Sequence, residues 1–227
     1  MMADVASSPV IICTRCKTRQ PNAEQAKNCD ECQIAYCSTD CLKADKMKHQ
    51  KHCRYRTEAG GNGDNIKGLV APTNLPFTRL DRGMYLHHRP RRDVFRLLLD
   101  CYRLHVEDSI NFDGIRAPDN LHTGFQQFLT LATQRPNLLP PWWDDEAATK
   151  CQAFGTESGA AWYSLERRVT KKGVNDHYDS PLMAMQLRML GEAVYQRGPG
   201  GQDGTPMRRM MVQQEREGGN MTVVGLE

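Results

Sequence analysis

Residues 13–53 read CTRCKTRQPNAEQAKNCDECQIAYCSTDCLKADKMKHQKHC, and this stretch decides how the N-terminal part of the chain folds. Its spacing is Cys13-x2-Cys16-x12-Cys29-x2-Cys32-x4-Cys37-x3-Cys41-x7-His49-x3-Cys53. Three close cysteine pairs and one histidine–cysteine pair provide eight ligands, the number that two tetrahedral zinc ions require. The stretch has too few large apolar side chains to build a core. Metal binding supplies the missing folding energy, on the order of 10–16 kcal/mol per structural zinc in finger peptides. The competing reading is a disulfide framework. Seven cysteines is an odd number, a histidine sits at ligand spacing, and the first residues lack the basic and apolar regions of a secretory signal. The arithmetic therefore predicts metal in a reducing compartment. His52 competes with His49, but it directly precedes Cys53, and adjacent residues rarely reach one ion, so spacing favours His49.

Outward from this stretch the composition changes. The chain has 227 residues, enough for one medium domain or two small ones. Seven of its nine cysteines lie in residues 13–53, whereas fourteen of its sixteen aromatic residues lie between Phe77 and Tyr195. A mean hydropathy of -0.63 is polar for a fully folded globule. Residues 57–76, with four glycines and two prolines, read as a flexible linker. Residues 77–197 read as a mostly α-helical domain. Val94, Leu97, Leu98, Cys101 and Leu104 or His105 form one stripe with Asp93 as N-cap, and Phe125, Phe128, Leu129 and Ala132 a second, stopped by Pro136. Further helices are predicted over Asp144–Phe154, over Ala160–Val169, and from a Ser180-Pro181 start to about Tyr195. Residues 198–227 lack an apolar stripe and read as a disordered tail. No apolar run approaches the ~20 residues of a membrane helix.

The ligand order resembles the MYND-type zinc finger family. The string CDECQIAYCSTDCLKADKMKHQKHC carries the resemblance, above all Tyr36-Cys37, Cys41, Ala44-Asp45 and His49-x3-Cys53. The resemblance implies interleaved ligation, with Cys13, Cys16, Cys37 and Cys41 on one zinc and Cys29, Cys32, His49 and Cys53 on the other. It also implies a short helix over Asp40–His49 and a protein–protein interaction role. Four residues separate Cys32 from Cys37 where the family usually has five. Leu42 and Lys46 stand where it has the Gln and Trp that grip proline-containing peptides. The helical region, with CYRLHVED, LLPPWW and LMAMQLRMLGEAVY, is similar to segments following such fingers in uncharacterised fungal proteins, which implies no activity.

These readings predict a non-enzymatic intracellular adaptor or regulator, in cytoplasm or nucleus, holding two Zn2+ ions. Its partner would be a protein, with proline-containing peptides one class. The segment Pro136-Asn137-Leu138-Leu139-Pro140 fits the PxLxP pattern some fingers bind, although Leu138 and Leu139 beside Trp142 also read as core. A transcriptional regulator contacting nucleic acid is the alternative. Residues 1–56 carry ten Lys/Arg against six Asp/Glu. Seven thiolates and two divalent ions together add −3, so the zinc-loaded segment sits near +1, well short of the surplus a dedicated binder shows. A SET-type lysine methyltransferase would need an NHSCxPN-like cofactor loop, and no such string occurs. Cys101 and His105 at i, i+4 could pair as nucleophile and base, but they lie on the apolar stripe and read as core. Asp176-His177 reads as surface, and His87-His88-Arg89-Pro90-Arg91-Arg92 as a solvated basic run. Trp142 and Trp143 read as core plugs.

Overall fold

A computed structural model describes residues 11–20, 27–29, 35–52, 67–70, 73–157 and 162–217. Two compact units divide the chain. The first comprises Met1–Gly63 with Arg89–Arg91, and the second Asp64–His88 with Arg92–Glu227.

The first unit is built from two antiparallel pairs and a helix. β1 (Ile11–Ile12) pairs with β2 (Arg19–Gln20), and β3 (Lys27–Asn28) with β4 (Ala35–Tyr36). Ile11 lies opposite Gln20, and Lys27 opposite Tyr36. The turn after β1 is closed by the Cys13 amide donating to the Thr18 carbonyl at 3.0 Å and the Lys17 amide donating to the Cys13 carbonyl at 2.9 Å. Lys17 takes the left-handed region at φ 61, which tightens the knuckle. α1 (Thr39–His52) begins with Ser38, whose hydroxyl accepts from the Cys41 amide at 3.2 Å. The helix is thus longer than the Asp40–His49 expectation. Its sequence is mostly polar, with Leu42 half-buried and Met47 exposed, so no broad apolar face holds it.

The second unit is helical: α2 (Pro76–Asp81), α3 (Arg91–Asp113), α4 (Leu121–Thr133), α5 (Asp145–Glu157), α6 (Lys171–Tyr178), α7 (Met183–Tyr195) and α8 (Thr205–Arg216). α3, about 35 Å long at 1.5 Å per residue, is the axis of the core. Every residue from Asp93 to Leu104 is buried, so the helix is covered on all sides and not along one stripe. Four of those residues are charged and pair along one face: Arg96 with Asp93 at 3.2 Å, and Arg103 with Asp100. Asp100 also accepts from Trp162 Nε1 at 2.9 Å and from the Tyr178 hydroxyl at 2.6 Å. These hydrogen-bonded pairs are what makes the burial of charge tolerable. Phe125, Phe128 and Leu129 of α4 and Leu187 and Leu190 of α7 complete the apolar interior.

Several expectations are corrected. Asp93 does not cap α3; it lies inside the first turn and accepts from the Val70 amide at 3.2 Å. The stretch 67–76, taken as linker, belongs to the helical unit: Leu69 packs on its core, and the Gly68 carbonyl accepts from Arg96 at 3.3 Å. Residues 57–66 lie outside the described residues. Residues 162–169 are turns, not helix, because Arg103 gathers the carbonyls of Trp162 and Ser164 at 2.5 and 2.8 Å. The stretch read as a tail from 198 contains α8, which buries Met211 and Val212. Glu215 of α8 accepts from the Phe77 and Thr78 amides at 2.8 and 2.7 Å and from the Thr78 hydroxyl at 2.7 Å. It thereby caps α2, whose own N-cap, Leu75, offers no side-chain acceptor and sits at φ 52. Residues 218–227 lie outside the described residues.

Candidate metal centre

Three separate pieces of chain converge on one point. Cys13 and Cys16 come from the knuckle between β1 and β2, Cys37 follows β4, and Cys41 sits in the first turn of α1. The Thr14 amide donates to the Ala35 carbonyl at 2.9 Å, which fixes the knuckle to β4. Cys16 Sγ and Cys37 Sγ are 3.5 Å apart, as are Cys37 Sγ and Cys41 Sγ, and all four sulfurs lie within 4.8 Å of one another. A tetrahedral zinc–thiolate centre with bonds of about 2.3 Å has sulfur–sulfur edges of about 3.8 Å. The four cysteines therefore fit a single thiophilic ion without rearrangement of the backbone.

The protonation pattern has the same origin. Burial works against ionisation of Cys13, yet hydrogen bonds from the Cys16 and Cys37 amides outweigh it and hold the thiol down at about 6. Cys16 is lowered by the Thr18 hydroxyl and amide. Cys37 is pushed up to about 12 by hydrogen bonding to Cys16 and Cys41. Thiols this close cannot all ionise on their own, because each new thiolate repels the next. A divalent cation removes that conflict, since metal binding needs the ligands deprotonated.

The second predicted set is partly in view. His49 Nε2 lies 3.2 Å from Cys29 Sγ, and Cys32 and Cys53 fall outside the described residues. Tyr36 buttresses this end: its hydroxyl donates to Asp45 Oδ2 at 2.9 Å, and its ring meets that of His49 edge-on at 6.2 Å. Cys41 and His49 are eight residues apart on α1, about 12 Å along the axis, too far to share one ion. Ser38, Thr18 and the Tyr36–Asp45 pair support the ligands; Tyr36 and Asp45 carry the sequence resemblance, whereas Ser38 and Thr18 were not singled out from the sequence. Ser38 was legible there, being an N-cap residue type directly before a helical run.

The remaining candidates belong to the helical unit. Cys101 is buried, with its thiol raised by burial and directed at the Leu187 carbonyl at 3.4 Å. The His105 ring stacks on Tyr195 at 3.8 Å, and burial lowers its basicity. Trp142 and Trp143 pack edge-on against Phe95 at 6.5 and 6.0 Å. His177, read as surface, is half-buried and stacked on Trp162 at 4.0 Å. The basic run at 87–92 is no exposed patch: His87, Arg89 and Pro90 are buried, and His87 Nε2 donates to the Asn137 carbonyl at 2.8 Å. In the PxLxP-like segment Leu138 and Pro140 are buried, so it is core and not a presented ligand. Among the described residues no helix is long and apolar enough to cross a membrane. Comparison of the chain with protein families, with curated proteins and with solved structures gives no match.

Proposed function

We propose that residues 13–53 form a two-zinc finger of MYND type that serves as a protein–protein interaction module, carried by a helical domain with no catalytic role. The observation that carries this reading is the convergence of Cys13, Cys16, Cys37 and Cys41 within 4.8 Å, with Cys29 and His49 held apart from them as a second pair. That is the interleaved order the spacing resembles. The second ion would be completed by Cys32 and Cys53. Zinc in such centres is structural: four protein ligands leave no open position for substrate or water. A closed centre suits a module whose surface, not its metal, meets the partner.

Leu42 is half-buried and Lys46 exposed on α1, where the family's usual Gln and Trp grip proline-rich peptides. The partner is therefore a protein recognised by other means than that grip. Cytoplasm or nucleus would be the compartment, since the free thiolates need reducing conditions.

The test is affinity purification with mass spectrometry of the intact protein beside a Cys37→Ser variant. The reading expects a partner retained by the intact protein and lost by the variant, with the helical domain still folded in both. Partners retained equally by both place the interaction outside the finger and overturn it.

A further inference from the structure

A cleft of about 540 Å³ opens in the helical unit where the segment from Lys67 to Leu69 meets the end of α6 and the start of α7. Its size falls in the range of small-molecule sites, roughly 300–1,000 Å³. Gly68, His177, Tyr178, Met183 and Gln186 line it, with Lys67 at its edge.

Two polar side chains in this cleft are only half used. Gln186 is 7% exposed, and its Oε1 accepts from the Tyr85 hydroxyl at 2.9 Å. That bond leaves the amide nitrogen of this cleft-lining residue with no hydrogen-bond partner among the described residues. His177 is fixed in the same sense. The Gly68 amide donates to its Nε2 at 3.4 Å, and the Tyr163 hydroxyl lies 2.9 Å from the same atom. Nε2 is thus an acceptor, so the ring proton sits on Nδ1, which makes no hydrogen bond among the described residues. The ring cannot swing away, because it is stacked on Trp162 at an interplanar angle of 3°. Burial lowers its basicity, so it stays neutral and keeps a single donor.

Neither donor has a protein acceptor among the described residues, so an acceptor entering the cleft would take the place of water on them. Gln186, His177 and Lys67 line one space, while two of the neighbouring acceptors are already engaged: Asp100 takes the Tyr178 hydroxyl, and the Gly68 carbonyl takes Arg96. Asp179 and Ser180 line the outer rim. We infer that this cleft binds a carboxylate, with its oxygens accepting from Gln186 Nε2 and His177 Nδ1 and its charge facing Lys67. The inference does not depend on the finger or its metal.

The probes are N-acetylglycine and N-acetylglycinamide, which share a size but differ in charge, titrated into the full chain and followed by 1H–15N NMR. The acid should shift the Gln186 side-chain amide and the His177 ring saturably, and the amide should not. Tyr85→Phe/Gln186→Met removes both partners of one hydrogen bond, a change that costs the fold little, and should weaken the acid at least tenfold. If the double variant does not fold, His177→Phe keeps the ring on Trp162 and should weaken binding likewise. Trialanine with a free C-terminus, tested beside its amide, separates the two sources: tighter binding than N-acetylglycine assigns a peptide end, weaker binding a small free acid. Equal shifts with acid and amide, no shifts at about 10 mM acid, or unchanged affinity in the folded variants overturns the assignment.

Discussion

Replacing Glu215 by alanine removes the only side chain among the described residues that caps α2, and the cost can be worked from the contacts. Its carboxylate accepts from two backbone amides and a hydroxyl at 2.7–2.8 Å. Loss of a helix cap costs about 0.5–2 kcal/mol, and a hydrogen bond to a charged group about 1.5–3 kcal/mol. Glu215 is half-buried, so water reaches part of the vacated site and recovers some of the loss. The net expectation is a destabilisation of about 2–3 kcal/mol, or a fall in Tm of roughly 5–10 °C for a domain of this size. Glu215→Gln keeps the shape and loses the charge, and should fall between the parent and the alanine variant. The assay is urea unfolding of the full chain followed by far-UV circular dichroism, with Thr78→Val completing a double-mutant cycle. The two sites share a bond, so the cycle should show a coupling of about 1 kcal/mol. A loss below about 0.5 kcal/mol for Glu215→Ala, or strictly additive effects, would refute the claim that α8 holds α2 through this carboxylate.

Asp100→Ala should destabilise the helical unit by about 3–5 kcal/mol, since it strands the buried Arg103 and leaves Trp162 and Tyr178 without their acceptor; chemical denaturation measures it. Tyr102→Phe should leave stability unchanged or raise it by about 1 kcal/mol in the same assay, because the buried Tyr102 hydroxyl has no partner among the described residues. Gly124→Ala should lower stability, as its methyl group would lie 2.2 Å from that hydroxyl. Burial and the nearby Arg103, Arg96 and Lys67 depress His177 from 6.5 to about 4, even though Asp100 pulls the other way. The fold therefore favours the neutral ring, and its contribution is complete above pH 6.5 and lost as pH falls toward 4. His177→Phe should flatten the pH profile of unfolding in that window.

The cluster of Cys13, Cys16, Cys37 and Cys41 was legible because its chemistry is local: a CxxC pair declares itself over four residues, and thiols in a coreless stretch have few other uses. The helices whose apolar residues follow a 3.6 period were legible for the same reason, as with Phe125, Phe128, Leu129 and Ala132. What escaped was set by partners distant in sequence. α3 read as a one-sided stripe because Asp93, Arg96, Asp100 and Arg103 mark a surface unless paired, and their pairing partners include Trp162 and Tyr178, some sixty to eighty residues away. α8 read as a tail because Gln, Arg and Met dominate it. Its case for folding rests on Met211, Val212 and a carboxylate that meets α2 138 residues upstream. Residues 162–169 carry apolar residues at helical spacing, but Arg103 draws on the Trp162 and Ser164 carbonyls that an i→i+4 ladder would need. His177 beside the charged Asp176 looked solvated, and only the fold brings Trp162 over its ring.

The central claim, two interleaved metal centres, is tested most directly by counting zinc in the purified full-length protein by elemental analysis, beside Cys16→Ser and Cys29→Ser. The account predicts two zinc ions per chain. It predicts loss from both variants, because Cys13, Cys16, Cys37 and Cys41 interleave along the chain with Cys29 and His49, so damage to either set loosens the other. One zinc per chain in the intact protein, or none, would contradict it.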